Sequence, residues 1–264
     1  MNNLFLKTLR EKRAFIIGWS LGLFFLGFAM TTFFTSFSGD SIKDLLEGLP
    51  PALAGLVGNA QDWSQLSTYI GGQVFDIRLP ILIGVLAIVL AIGLSVTEED
   101  KGLLRTTVAL PISRTRIVLA KWFAVAVICL VAAGATVAGV ETGALAINET
   151  VDQSVLLQLG LMTWLMTTAL ATLIFAAGMA TGLRVIAMPV GVIVVAGGFF
   201  ITTFAAAVDW LKNYEWLSIF HYFPATEIAK QGIAVSDVLV YLAVIVVSLA
   251  TAIIVFRRRD IYAE

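Results

Sequence analysis

Charged residues are scarce in this sequence, and their scarcity excludes an ordinary soluble domain. Only 13% of the 264 residues are charged and 59% are hydrophobic, against roughly 25% charged residues in an average soluble domain. So few charges could not cover the surface of a soluble domain of this length. The formal net charge of −1 also gives no reason to expect nucleic-acid binding. We therefore expect an integral membrane protein without a nucleic-acid partner.

Cysteine and histidine are nearly absent, with one residue of each kind. Cys129 has no partner for an intrachain disulfide bond. Together with His221 it cannot supply the usual Cys/His ligand set, so no metal site is predicted. The sequence also lacks Gly-x-x-x-x-Gly-Lys-Ser/Thr, the loop that binds ATP phosphates, and it carries no catalytic motif. We therefore predict no catalytic residues and no cofactor bound by this chain.

Long apolar runs are what the sequence has instead. A helix needs about 20 apolar residues to cross a hydrocarbon core of roughly 30 Å, and continuous runs exclude a barrel of short alternating strands. The first run is longer than the core of a signal peptide and ends without a clean cleavage site, so we interpret it as a retained helix. The predicted fold is one all-α membrane domain, 1–264, with six transmembrane helices at 14–37, 79–97, 117–147, 155–183, 185–208 and 238–256.

Lys and Arg are unevenly distributed between the ends of these helices. With a cytoplasmic N-terminus, the cytoplasmic side receives thirteen of them and the outer side four. Cytoplasmic loops of membrane proteins carry the excess of positive charge, so both termini are predicted inside. An odd number of helices would put the two basic termini on opposite sides. Membrane lipids are expected partners, with Arg257, Arg258 and Arg259 near the headgroups.

Two outer connections are long. Ser38–Arg78 contains the stretch Ser41–Glu47 followed by Pro50 and Pro51, which is typical of a short amphipathic helix on the membrane surface. Asp209–Asp237 is rich in aromatic residues. Aromatic side chains suit the headgroup level, and this stretch could re-enter the bilayer partway.

A few ionisable residues are candidates for the pathway or its exit. Glu141, near the outer end of the third helix, is either a buried pathway carboxylate or an ordinary interfacial residue, and we favour the second interpretation. Asp76 and Arg78 are expected to flank the second helix on the outside, where they could pair with each other or line an exit. His221 and Glu227 lie in the aromatic outer stretch, where an interfacial role is favoured over a proton-linked or metal role.

The inner loop between the second and third helices, residues 98–116, has the most informative pattern. Thr97 followed by Asp100 resembles a capping box, and acidic residues suit the positive end of a new helix. Apolar residues share one face, Pro111 ends the element, and Ser113 can then cap the third transmembrane helix. The pattern predicts a short amphipathic helix at the cytoplasmic mouth. Such a helix could merely anchor the protein in the interface, or it could dock a cytoplasmic partner.

The same loop resembles the permeases of type-two ABC exporters. The resemblance rests on the segments Glu98–Arg105 (EEDKGLLR), Leu110–Arg114 (LPISR) and Lys121–Trp122. In that family this loop is the coupling helix, which sits in a cleft of the ATPase subunit, and the basic stretch 3–13 is similar to the family's amphipathic elbow helix. The resemblance implies that ATPase coupling is carried by Glu98, Glu99, Asp100, Gly102, Leu103, Leu104, Arg105, Pro111, Ser113 and Arg114.

The resemblance also implies how the work is divided. A separate cytoplasmic ABC ATPase would bind ATP and magnesium. This chain would form the substrate pathway together with a second copy of itself or a sister permease. The implied activity is ATP-driven export across the inner (cytoplasmic) membrane.

Two other functions fit the sequence less well. An ion-coupled secondary transporter or channel would normally show paired ionisable residues or broken helices at the bilayer midplane, and the predicted membrane centres are nearly free of charge. An intramembrane protease of the Glu-Glu-x-x-x-Arg type would need an arginine at position 103 and several histidines. Position 103 is Leu, and the single histidine is predicted outside.

Overall fold

The chain folds into a bundle of long helices. The computed structural model describes residues 2–37, 65–100, 112–205 and 207–259. In chain order its helices are α1 (Asn2–Glu11), α2 (Arg13–Thr32), α3 (Phe34–Phe37), α4 (Leu66–Ser95), α5 (Thr97–Asp100), α6 (Arg114–Ala146), α7 (Gln153–Thr181), α8 (Arg184–Phe204), α9 (Asp209–Lys212), α10 (Ala225–Gln231) and α11 (Val235–Arg258), with 3₁₀ turns at Glu215–Leu217 and Ile219–Tyr222.

Six of these helices, α2, α4, α6, α7, α8 and α11, are long and apolar enough to cross a membrane, and the described ranges contain no strand. The predicted all-α membrane fold is therefore confirmed. Helix α1 covers most of the stretch predicted as an elbow helix. The surface helix predicted after Ser38 lies outside the described residues.

Helix α4 begins at Leu66, well before the predicted start at 79. Its stretch Gly71–Arg78 is π-helical and contains several polar residues, which interrupt the apolar run in the sequence. Polar residues are tolerated in such a helix where other protein groups satisfy them. Asp76 and Arg78, which were expected to flank this helix, therefore lie within it. The other five spans begin and end within a few residues of their predicted positions.

Helix α7 lies at the centre of the bundle and packs against α4, α6, α8 and α11. Two of its four buried threonines, Thr167 and Thr172, donate to the carbonyl one turn earlier in their own helix, at 2.6 Å. Two indole N–H groups link α7 to α6. Trp122 donates to the Thr172 hydroxyl and Trp164 to the Ala126 carbonyl, both at 2.9 Å. The centre of the bundle is thus mainly apolar, and these four side chains satisfy their polar groups within α6 and α7.

Helix α2 packs on α6 through glycines. A Cβ on Gly139 would overlap the Phe24 carbonyl oxygen, and one on Gly143 would lie 2.8 Å from the Phe28 carbonyl oxygen. The two glycines form a Gly-x-x-x-Gly motif, whose small residues let two helix backbones approach closely in a membrane. Larger residues at either position would therefore separate α2 from α6.

The segment between α8 and α11, which we call the outer segment after its predicted side of the membrane, is anchored inside the bundle. The Ser218 hydroxyl donates to the Gly198 carbonyl of α8 at 2.9 Å. The Tyr241 hydroxyl of α11 donates to the Ile219 carbonyl at 3.0 Å. The aromatic segment therefore inserts between spanning helices instead of lying only on the surface.

Candidate functional site

The N-terminal end of the predicted coupling loop directly continues α4. Val96 separates α4 from the short helix α5, and its carbonyl accepts the N–H groups of Glu99 and Asp100 at 2.9 and 3.0 Å. The capping box predicted at Thr97 is wrong, because the Thr97 hydroxyl donates to the Ile92 carbonyl at 3.2 Å. The helix hardly breaks here, so there are few free N–H groups to cap. Helix α5 therefore follows α4 with only Val96 between them.

The C-terminal end of the loop leads into the N-terminus of α6. Ser113 occupies the N-cap position, as the sequence predicts, and its hydroxyl accepts the Arg116 N–H at 3.4 Å. The next residue, Arg114, extends its guanidinium to the end of α11. Its Nη1 donates to the Phe256 carbonyl at 3.2 Å and also to the Arg259 carbonyl. The last carbonyls of a helix have no partner within it, so Arg114 caps α11 with a positive charge.

Arg259, the residue after α11, makes the complementary contacts. Its Nη2 pairs with the Glu99 carboxylate of α5. Its Nη1 donates to the Met179 carbonyl in the last turn of α7, at 3.3 Å. The pair is largely enclosed, with side chains 17% (Arg259) and 24% (Glu99) exposed. Arg114 and Arg259 therefore connect the ends of α5, α6, α7 and α11.

A glycine makes room for this ion pair. Gly182 ends α7 in the left-handed conformation, with φ of 68°, which favours glycine. A Cβ at this position would overlap both the Arg259 guanidinium and the Glu99 carboxylate. We name Glu99, Arg114, Gly182 and Arg259 the helix-end cluster. It includes two predicted coupling residues, Glu99 and Arg114, and Arg259, which was expected near the lipid headgroups.

Sequence reasoning missed Arg259 as part of the site. The three terminal arginines were all expected near the lipid headgroups, and nothing in their order distinguishes Arg259 from its neighbours. The partners of Arg259 lie far away in sequence, so only the fold brings them together.

The remaining predicted coupling residues are only partly described. Glu98 belongs to the backbone of α5, and Asp100 is its exposed last residue. The residues outside the described ranges are Gly102, Leu103, Leu104, Arg105 and Pro111. The structure thus describes both ends of the coupling loop and leaves the role of its centre a prediction.

The opposite end of the bundle contains an acidic cleft of about 490 Å³. The cleft is bordered by α4, α8 and the outer segment, and its ionisable lining residues are Asp76, Glu215, His221, Glu227 and Asp237. Within the described residues, no group of three or more such side chains could hold a metal ion.

Asp76 is the best-connected residue of this cleft. Its carboxylate accepts the N–H groups of Ala225 and Thr226 at 2.7 and 3.0 Å and the Thr226 hydroxyl at 2.6 Å. Arg78 instead donates to the Gln73 carbonyl at 2.7 Å. The two residues were expected either to pair or to line an exit. Each has a different partner, and Asp76 alone lines the cleft while fixing α10 to α4.

Glu141 and His221 have local partners. The Gln153 amide donates to the Glu141 carboxylate at 2.9 Å, which connects the end of α6 to the start of α7. His221 Nδ1 lies 3.5 Å from the Glu215 carboxylate, and this contact is an ion pair only when the imidazole is protonated. The second oxygen of the Glu141 carboxylate, Oε2, is buried without a hydrogen-bond partner among the described residues. The roles of both residues stay predictions.

A family comparison agrees with this architecture. The model of a family described as ABC-2 family transporter protein matches residues 3–261. The match confirms the resemblance seen in the loop and extends it over nearly the whole chain. No curated protein matches the sequence. The chain therefore belongs to the ABC-2 transporter family and is a membrane-spanning permease subunit of an ABC transporter.

Proposed function

We propose that this permease works in an ATP-driven exporter of the cytoplasmic membrane, and that the loop 98–116 docks a separate ABC ATPase. Membership of the family implies an ABC ATPase partner in general. The proposal assigns the docking position and the direction of transport. ATP and magnesium would be bound by the ATPase, and this chain would supply the pathway.

The distribution of charge at the two ends of the bundle carries the proposal. Contacts of Glu99, Arg114 and Arg259 put both ends of the loop beside the C-terminus of α11. Lys12, between α1 and α2, lies next to Gly93 near the same end of α4. Most Lys and Arg residues of the sequence thus belong to one end, and the positive-inside rule makes that end cytoplasmic. Both termini and the loop would then face the ATPase.

The proposed mechanism uses the rigid connection between α5 and α4. ATP-driven closure of two ATPase subunits would push the docked loops. Because α5 continues α4 and Arg114 begins α6, the push would act directly on two spanning helices. The pathway would form between this chain and a second copy or a sister permease. Apolar outward faces on α2, α8 and α11 fit contact with lipid or with that second permease, as at Phe25, Ile193 and Val246.

Site-specific photocrosslinking tests the docking position. A photoreactive amino acid replaces Leu104 in the loop or, as the control, Trp216, an exposed residue of the outer segment. The chain is expressed with the ABC ATPase from the same gene cluster, and whole membranes are irradiated. We expect an ATPase crosslink from position 104 and none from position 216. An ATPase crosslink from position 216, or none from 104 in intact complexes, would contradict the proposal.

A further inference from the structure

The helix-end cluster provides a second connection between the loop and the bundle, which we call the second path. The first path is covalent, from α5 to α4 and from the loop to α6. The second path runs through Arg259, whose guanidinium contacts the Glu99 carboxylate on α5 and the Met179 carbonyl on α7. Helices α7 and α11 have no covalent connection to this loop. Arg259 therefore adds a side-chain contact between α5, at the start of the loop, and α7, while Arg114 connects the end of the loop to α11.

The positions of Arg114 and Arg259 favour a helix-end cluster whose residues move together. Arg259 lies at the C-terminal end of α7, and Arg114 lies at the C-terminal end of α11. Each cation meets the negative end of a helix dipole and carbonyls that have no partner within their helix. Charge-assisted hydrogen bonds of this kind are about twice as strong as neutral ones. The partial enclosure of the Glu99–Arg259 pair reduces screening by salt further.

The neighbouring arginines differ from Arg259. Arg258 is exposed, belongs to the last turn of α11, and carries the same charge one residue away. If the three terminal arginines served only as lipid anchors, replacing Arg258 or Arg259 should have the same effect. The contacts of Arg259 with α5 and α7 predict different effects.

We propose that Arg259 is a positioning residue for ATPase coupling: through Glu99 it holds the first turn of the docking loop against α7 and α11. The ATPase then meets a loop of fixed orientation, and its movement reaches α4, α7 and α11 together. This inference rests on the proposed docking function. It adds a residue outside the loop whose loss weakens docking without touching the docking surface.

The test is a double-mutant cycle on ATPase binding. The full-length permease is reconstituted in lipid nanodiscs, and the Kd of the purified ATPase subunit is measured. The variants are Arg259→Gln, Glu99→Gln, the double variant, Arg259→Lys and the control Arg258→Gln. We expect Arg259→Gln and Glu99→Gln each to raise the Kd about fivefold or more, as for other coupled sites. The double variant should be no worse than either single variant, because both remove the same ion pair.

Further arms separate positioning from general stability. Arg259→Lys keeps the charge and should retain part of the affinity, whereas Arg258→Gln should bind like the wild type. The melting temperature of each variant is measured without ATPase. If Arg259→Gln cannot be purified, Arg259→Lys alone and combined with Glu99→Gln carries the test, since Glu99→Gln alone would also change a predicted docking residue. Wild-type affinity in both Arg259→Gln and Glu99→Gln, or additive effects in the double variant, would overturn the inference. A wild-type permease that binds no ATPase would instead overturn the docking function itself.

Discussion

The two ends of the bundle are held together by different kinds of contact. At the outer end, the contacts involve the main chain of neighbouring elements: Gly139 packs on the Phe24 carbonyl, and Asp76 accepts N–H groups of α10. At the loop end, two long arginine side chains reach helix termini and a carboxylate. The loop-end contacts are charge-assisted and are made through long arginine side chains, whereas at Gly139 the two helix backbones meet directly. The close packing of α2 on α6 fits an outer end that keeps its shape, and the long side chains that connect four helices fit the proposed coupling role of the loop end.

The largest effect on stability is expected from a substitution that breaks the main-chain packing of α2 on α6 in the outer half of the bundle. Gly139→Leu should force α2 away from α6 and lower the free energy of unfolding by about 3 kcal/mol, the upper part of the range for overpacking. The matched control is Gly134→Leu on the same helix, because a Cβ on Gly134 meets nothing within 4 Å. Thermal unfolding of the purified variants checks the difference. Equal melting temperatures for the two variants would show that α2 and α6 are not closely packed.

The next largest effect is expected from a substitution that detaches the outer segment from α4. Asp76→Ala removes the acceptor for two N–H groups and one hydroxyl, and it should cost about 2 kcal/mol. Limited proteolysis should then cut between α8 and α11 faster than in the wild type. Glu227→Gln alters an exposed carboxylate of the same cleft and should leave the cleavage rate unchanged. If Glu227→Gln accelerated cleavage as much, charge in the cleft would matter more than the contacts of Asp76.

A smaller effect is expected from crowding the loop end. Gly182→Ala combines a left-handed backbone with overlap on the Glu99–Arg259 pair, and it should cost about 1.5 kcal/mol. Arginine can move aside, which is why this loss should be smaller than at Gly139. Gly197→Ala on α8, where a Cβ meets nothing within 4 Å, is the control in a thermal melt. A loss at Gly182 equal to that at Gly139 would remove the contrast between the two ends.

The smallest expected effect concerns one neutral hydroxyl. Ser218 accepts from Thr202 at 2.7 Å and donates to the Gly198 carbonyl at 2.9 Å. Ser218→Ala should therefore lower the free energy of unfolding by about 1 kcal/mol. Ser236→Ala removes an exposed hydroxyl that bonds only its neighbour Asp237, so its melting temperature should not change. A Ser218→Ala variant as stable as the wild type would show that the outer segment is held by other contacts.

The six spans could be predicted because lipid requires long apolar helices, and the loop could be interpreted because its motif is local. The start of α4 could not be predicted, because the polar stretch Gly71–Arg78 is stabilised by α10, which is distant in sequence. Arg259 was missed for the same reason, since Glu99 and Met179 become its neighbours only in the fold. Gly139 and Gly143 were recognisable as a close-packing motif.

The most direct test of the account asks which side of the membrane each end faces. Cys129 is buried and can be replaced by Ala to give a cysteine-free background. Ser113→Cys then marks the loop end and Ser236→Cys the outer end, both at exposed positions. A membrane-impermeant maleimide is added to intact cells and to inside-out vesicles. We expect Ser113→Cys to react only in the vesicles and Ser236→Cys only in cells. The opposite pattern would put the docking loop outside the cell, where no ATPase could reach it, and would contradict the account.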